Sequence, residues 1–175
     1  MICLIPIGKV NKKILSFLKE ELEKEFGESI EIQNPLAEPD YAYNLSRDQY
    51  NAPVILREIE IQRPGLCKRT LGLSNVDLYT EGLNFVFGQA SPLTGVALIS
   101  LTRLRQEYYG LPKDEILFKE RTKKEAIHEL GHTYGLEHCP NSKCVMYFSN
   151  SLLDTDRKQA FFCTQCKSLL KLDFG

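Results

Sequence analysis

Apolar residues form two kinds of run along the chain. Short runs rich in apolar and β-branched residues and bounded by Gly or Pro predict strands, whereas runs that repeat every three or four residues predict amphipathic helices. The predicted strands are Ile2–Ile7, Ser29–Gln33, Thr70–Leu78, Leu83–Phe87 and Gly95–Leu101. The predicted helices lie between Asn11 and Gly27, over Gln49–Ile61 and over Phe118–Tyr134. This order predicts an α/β fold, a sheet packed against helices.

The length and composition indicate one globular domain. The chain has 175 residues, of which 43% are hydrophobic and 26% are charged, values close to those of ordinary folded domains. We therefore expect a single domain over residues 1–175. Within it, we expect an upper subdomain of about residues 1–135 and a small C-terminal lobe of about residues 136–175. The predicted apolar anchors of this lobe are Phe161, Phe162, Leu169, Leu170 and Leu172.

The net charge and the hydropathy of the chain argue against nucleic acid and membranes as binding partners. The 22 basic and 23 acidic residues give a net charge of −1, which provides no general attraction to nucleic acid or to an anionic membrane. No apolar run approaches the roughly 20 residues that cross a bilayer, and no signal peptide is recognisable. We expect a cytoplasmic protein with no nucleic-acid or membrane partner, and the sequence leaves its oligomeric state open.

The candidate chemistry lies in residues 128–138, which read HELGHTYGLEH and contain every histidine of the chain. This is the pattern HExxHxxGxxH. Histidines four residues apart project from one face of a helix, so His128 and His132 can bind one metal ion. Gly135 can end the helix in a conformation that other residues avoid, and His138 can then return as a third ligand. Three neutral imidazoles and an open position are typical of a catalytic zinc, with Glu129 placed to act as general base.

A chance match is the plain alternative to this metal site. Two core histidines and an unrelated glutamate on one helix would produce part of the pattern. Its five fixed positions, however, match by accident on the order of 10⁻⁴ times in a chain of this length. The pattern therefore favours a metal site.

Four cysteines near the C-terminus form two closely spaced pairs. Cys139 and Cys144 are separated by four residues, and Cys163 and Cys166 by two. These spacings are typical of a structural tetrathiolate zinc site, which would stabilise a lobe of about 40 residues with little core of its own. A redox-active pair at Cys163 and Cys166, or simple buried thiols, are the alternatives.

Two further inferences concern the remaining cysteines and the number of metal ions. Cys3 and Cys67 are predicted to be core or surface thiols, because thiols stay reduced in the cytosol. His138 and Cys139 are adjacent, but successive side chains of an extended backbone point to opposite faces, so each can bind a different metal ion. Two zinc ions per chain are therefore predicted.

The histidine motif together with the cysteines resembles the archaemetzincin family of the metzincin clan of zinc peptidases. The resemblance is carried by residues 128–138, Cys139, Cys144-Val145-Met146 and Cys163-x2-Cys166. It implies a metzincin-like fold with a mixed and twisted sheet, a catalytic zinc on the three histidines, Glu129 as general base and a structural zinc on the four cysteines. It also implies that Met146 is the Met-turn residue beneath the metal. Some metzincins carry a Tyr two residues after this Met, but Phe148 holds that position here, so the accessory role of the Tyr is not carried over.

The predicted function is zinc-dependent hydrolysis of peptide bonds in a peptide or protein substrate. We expect the substrate to lie along an edge of the sheet, with Leu83–Phe87 as the candidate edge strand. One alternative is a non-catalytic zinc module that binds protein or nucleic acid, and another is a zinc hydrolase for a different substrate. Glu129, which a purely structural zinc site does not need, favours an enzyme.

Overall fold

The computed structural model describes residues 1–172, with side chains described through residue 170. Its strands are β1 (Ile2–Ile7), β2 (Ile30–Ile32), β3 (Tyr43–Asn44), β4 (Gln49–Asn51), β5 (Arg69–Ser74), β6 (Leu78–Tyr79), β7 (Gly88–Ser91) and β8 (Val96–Ser100). Its α-helices are α1 (Lys12–Phe26), α2 (Ala52–Gln62), α3 (Glu115–Thr133), α4 (Leu152–Arg157) and α5 (Thr164–Leu172). Short 3₁₀ helices cover Asp40–Ala42 and Gln106–Tyr109.

Five strands form a mixed sheet in the order β2-β1-β5-β8-β7. The first four are mutually parallel, and β7 pairs antiparallel with β8 at one edge. A second, small sheet has the order β3-β4-β6. The predicted α/β fold with a mixed sheet is therefore confirmed.

Helices cover both faces of the large sheet. Helices α1 and α3 pack together on one face, where Leu4, Leu71 and Ile99 contribute to the core. Helix α2 packs on the other face, against side chains such as Ile7 and Leu98. Burial on both faces explains why β1 and β8 are continuous apolar runs instead of alternating ones.

The predicted ends of the first helix are confirmed. The side chain of Asn11 accepts a hydrogen bond from the backbone N–H of Lys13, which caps the N-terminus of α1. Gly27 ends the helix in the left-handed region at φ 68°.

Two predicted elements have different bounds in the structure. Residues 49–51, predicted to start a helix, form β4, and α2 begins after Asn51, whose side chain caps the N–H of Val54. The predicted strand Thr70–Leu78 is two strands in different sheets. Ser74 still pairs with Ser100 in the large sheet, whereas Leu78 pairs with Tyr50 in the small one.

The predicted edge strand Leu83–Phe87 is wrong. This segment is irregular and makes one isolated bridge, between Val86 and Leu78. Two of its side chains instead pack against each other, with the ring centroids of Phe85 and Phe87 5.1 Å apart. Phe87 is also part of the hydrophobic core. The edge strand is the next segment, β7, whose sequence GQAS has no apolar pattern to reveal it.

The expectation of reduced thiols is wrong for Cys3 and Cys67, which form a disulfide. Cys3 lies in β1, and Cys67 lies just before β5, the strand that pairs with β1. Strand pairing thus brings together two cysteines that are 64 residues apart in sequence.

The segment after residue 135 has fewer apolar anchors than predicted. Phe162 and Leu170 are buried, but Phe161 and Leu169 are about half exposed. The side chain of Leu172, also predicted as an anchor, lies outside the described residues, as does the end of the predicted lobe beyond 172. None of the helices in the described part of the chain combines the length and apolarity that a bilayer crossing requires.

Candidate active site

Helix α3 carries the first two histidines of the motif. The side chain of Asp114 caps its N-terminus by accepting a hydrogen bond from the N–H of Leu117. The helix starts three residues before the predicted Phe118 and ends, as expected, just before Gly135, which has φ 84°. The chain then turns and brings His138 back to the helix.

The structure brings the three predicted histidines together. A ring nitrogen from each of His128, His132 and His138 lies within 4.8 Å of the others. The ring centroid of His132 is 4.7 Å from that of His128 and 4.9 Å from that of His138. The ring of His138 is also 4.8 Å from that of Phe148, the residue that replaces the tyrosine of some metzincins.

Backbone carbonyls orient two of the imidazoles. Nδ1 of His128 lies 2.8 Å from the carbonyl oxygen of Val145, and Nδ1 of His132 lies 2.7 Å from that of Leu136. Because a carbonyl only accepts hydrogen bonds, each Nδ1 carries the proton and each Nε2 keeps a free lone pair. The two Nε2 atoms are 3.1 Å apart. This arrangement fits a metal ion bound through Nε2 atoms.

Burial also keeps the imidazoles neutral. It lowers the pKa of His128 well below its usual range, and it lowers the pKa of His132 and of His138. Neutral imidazole is the form that binds zinc, so the donor set fits a zinc ion with an open position.

Glu129 projects from the same helix and is nearly completely buried. Burial raises the pKa of its carboxyl group well above the usual range, the nearby Glu125 adds to this effect, and Lys158 opposes it. A raised pKa suits a carboxyl group that accepts and then returns a proton. The structure therefore places a buried carboxyl group with a raised pKa beside the histidines.

Gly88, at the start of edge strand β7, makes room for Glu129. A Cβ atom at position 88 would lie 2.6 Å from Cγ and 2.8 Å from Oε1 of Glu129. Any larger residue would therefore press on this carboxyl group and on the backbone carbonyl oxygen of Leu98 in β8, which lies 2.7 Å from the same Cβ position. Nothing in the local sequence pattern indicates the contact between Gly88 and Glu129.

These groups line one cleft of about 540 Å³. The three histidines and Glu129 line this cleft together with residues 88–90 of β7. The remaining lining contains aromatic and apolar side chains, among them Leu83, Phe85, Phe87 and Phe148. The segment predicted as an edge strand, Leu83–Phe87, thus lines the cleft with its side chains, although it does not form a strand.

Met146 lies against the same helix from the side away from the cleft. It is fully buried, and a Cβ atom at position 131 would lie 2.5 Å from its sulfur. Gly131, between the two helical histidines, therefore allows Met146 to approach the helix closely. The backbone N–H of Cys139 donates to the carbonyl of Met146, which ties the segment after His138 to the Met146 turn.

The structure also brings the four predicted cysteines together. The sulfur atoms of Cys139, Cys144, Cys163 and Cys166 lie within 4.8 Å of one another. A backbone hydrogen bond from Cys166 lowers the pKa of Cys163 to about 7, whereas burial raises the pKa of Cys144 and of Cys166. Four converging sulfurs fit a closed tetrathiolate zinc site. The adjacent residues His138 and Cys139 do belong to different clusters.

Three converging histidines beside the buried carboxyl group of a helix packed on a mixed sheet are typical of a metal-dependent hydrolase. The family model "Peptidase family M54" matches residues 44–172. The chain therefore belongs to Peptidase family M54, the archaemetzincins, and is a zinc metallopeptidase that acts on peptide or protein substrates.

Relatives and solved structures agree with this assignment. The archaemetzincin of Pyrococcus furiosus is 48% identical and is matched over all of this chain and 94% of its own length. The crystal structure of the Methanopyrus kandleri archaemetzincin is 40% identical, with a TM-score of 0.86 over 99% of this chain and 94% of that one. A zinc-dependent peptidase from Methanocorpusculum labreanum is 29% identical, with a TM-score of 0.89 over 97% of this chain and 100% of that one.

Proposed function

We propose that the chain hydrolyses peptide bonds in the cleft, with His128, His132 and His138 holding one zinc ion and Glu129 acting as the general base. The observation that carries the proposal is the convergence of the three imidazoles on the cleft that also contains the buried Glu129. Zinc bound there would supply Lewis-acid chemistry toward the scissile carbonyl and an attacking water. Glu129 would accept the proton of that water and pass it to the leaving amine.

We place the substrate along β7. Within the described residues this strand pairs only with β8, so its outer edge is free to add an extended peptide. Gly88 would hold this strand next to Glu129.

The proposal includes a second zinc ion on the four cysteines, for a total of two per chain. The tetrad lies outside the cleft lining and three of its members are buried, which supports a structural role. Met146 would support the histidines from below, because its loop carries both Val145, the carbonyl partner of His128, and Cys144. The single-domain organisation, the cytoplasmic location and the absence of a nucleic-acid partner stay predictions.

Replacing Glu129 tests the enzyme against the non-catalytic zinc module. Glu129→Gln keeps the size of the side chain and removes the base, so zinc should still bind while hydrolysis falls by at least about 10²-fold. The measurement is cleavage of a peptide library followed by mass spectrometry, with zinc content determined in parallel.

Glu137→Gln is the matched control, since Glu137 belongs to the same motif but is exposed. It should cleave like the wild type. Undiminished cleavage by Glu129→Gln would exclude Glu129 as the base. Absence of cleavage by the wild type, with zinc bound, would favour the binding module.

A further inference from the structure

A polar seam joins the active-site helix α3 to α4. The guanidinium group of Arg121 donates two hydrogen bonds of 2.7 Å to the carboxylate of Asp156. One turn further along α3, Nζ of Lys124 donates to the backbone carbonyls of Thr155 and Asp156, at 3.1 and 3.2 Å. The next residue, Glu125, accepts a hydrogen bond from the hydroxyl of Thr155. The contact between these helices is therefore largely polar.

Lys158, directly after α4, ends this seam beside the histidine cluster. Its side chain is fully buried, and its Nζ lies 3.1 Å from Oε1 of Glu125, which is itself 4% exposed. The same Nζ is 3.4 Å from the carbonyl oxygen of Tyr147 and 3.4 Å from Nδ1 of His128. One buried ammonium group thus contacts α3, the Met146 turn and a histidine of the cluster.

Stability alone does not account for such a pair. Removing two charges from water is costly, and well-packed apolar residues in place of a buried ion pair often give an equally stable protein. The position of the pair offers a better explanation. Nδ1 of His128 already donates to Val145, so it has no lone pair for Lys158. The side chain of Lys158 therefore packs beside the ring without a hydrogen bond to it. Glu125 and the carbonyl of Tyr147 hold its ammonium group in that position.

We propose that Lys158 and Glu125 are a positioning pair for the metal centre. The pair holds the imidazole of His128 against the carbonyl of Val145 and connects it to the turn of Met146, and thereby sets the zinc affinity of the cluster. Groups that orient a metal ligand commonly control metal affinity in this way. The inference rests on the proposed function, because it requires zinc on the three histidines.

The test compares zinc affinities of variants by competition with a chromophoric chelator. Lys158→Met keeps the length of the side chain but removes the ammonium group, and should weaken zinc binding at the histidines by about 10- to 100-fold. His132→Ala identifies which part of the titration belongs to the histidines. Thermal unfolding of each variant is recorded in parallel.

Lys124→Met is the matched control for a merely structural role. Lys124 is a buried lysine on the same seam, but its Nζ contacts backbone carbonyls of α4. Lys124→Met should lower the unfolding temperature and leave zinc affinity within about twofold of the wild type. Equal zinc affinities of Lys158→Met and Lys124→Met would overturn the inference.

The double variant Glu125→Gln/Lys158→Met covers the case in which Lys158→Met does not fold. It leaves no unpaired charge in the seam, so it should fold better than either single variant. It still lacks the ammonium group that joins Glu125 to the carbonyl of Tyr147, so its zinc affinity should stay about 10-fold or more below that of the wild type. Wild-type affinity in the double variant would overturn the inference, whereas a wild-type histidine cluster that binds no zinc would instead overturn the proposed function.

Discussion

The histidine and cysteine clusters begin at adjacent residues but are built differently. Two of the three histidines come from one helix, and all three line a cleft. The four cysteines come from loops and the start of α5, lie outside that cleft, and are mostly buried. An open ligand set leaves a position for chemistry, whereas a closed one can only stabilise. His138 and Cys139 therefore join the proposed reactive centre directly to the proposed stabilising one.

The surroundings of the two clusters differ in the same way. Helix α3 packs on a sheet that is buried on both faces, so the first two histidines are positioned by a large apolar core. The segment after residue 135 contributes few large apolar side chains to that core, chiefly Val145, Met146, Phe162 and Leu170. We therefore expect the cysteine cluster to control stability and the histidine cluster to control activity.

Breaking the cysteine cluster should have the largest effect on stability. Cys163→Ser leaves three thiolates for a metal whose binding free energy, on the order of 10 kcal/mol for a structural zinc, contributes directly to folding. If the free energy of unfolding falls by about 4 kcal/mol, the unfolding temperature should fall by about 10 °C. Activity should fall as well, because Cys144 and Met146 share one turn. Differential scanning calorimetry and peptide cleavage measure both effects.

The disulfide provides the control for this variant. Cys3→Ser/Cys67→Ser removes two sulfur atoms, whereas Cys163→Ser removes one. This double variant should also lower the unfolding temperature, because the unfolded chain loses the constraint of the disulfide. It should, however, keep the zinc content of the cysteine cluster. Unchanged unfolding of Cys163→Ser would contradict a stabilising metal on the cysteines.

Removing metal with a mild chelator should have a smaller effect on stability and a complete effect on activity. The histidine cluster has three ligands, an open position and an exposed His138, so it should lose its zinc first. Zinc content should fall from about two ions per chain to about one while the unfolding temperature changes by only a few degrees. Added zinc should restore cleavage. Loss of both ions in one step would erase the proposed difference between the clusters.

The smallest effect on cleavage is expected from Gly88→Ala. The added methyl group meets Cγ and Oε1 of Glu129 and the backbone carbonyl oxygen of Leu98, so the carboxyl group and the edge strand must shift, at a cost of about 1–3 kcal/mol. Cleavage should fall by about 10- to 100-fold through kcat, with both zinc ions retained. Gly65→Ala is the control, because a Cβ atom there meets nothing within 4 Å. Equal kcat values for the two variants would show that Gly88 does not position Glu129.

Local spacing made much of the fold and of the site predictable. His128 and His132 share a helix face because they are four residues apart, and Gly135 ends that helix because it adopts φ 84° at little cost. The cap at Asn11 and the buried run of β1 were likewise readable, since each depends on neighbouring residues. The fold class followed from the order of such elements.

Tertiary structure alone decided the contacts between distant residues. The amino-acid sequence indicated which residues form the two clusters, through the spacing of the histidines and of the paired cysteines. Only the folded chain decided that Cys3 meets Cys67, that Gly88 borders Glu129 and that Lys158 lies beside His128. The physical reason is that helix and strand periodicity comes from interactions between near neighbours, which repeat along the chain. A contact between distant segments forms only when the sheet and the helices pack. It occurs at one place in the chain, so it leaves no repeating pattern in the sequence.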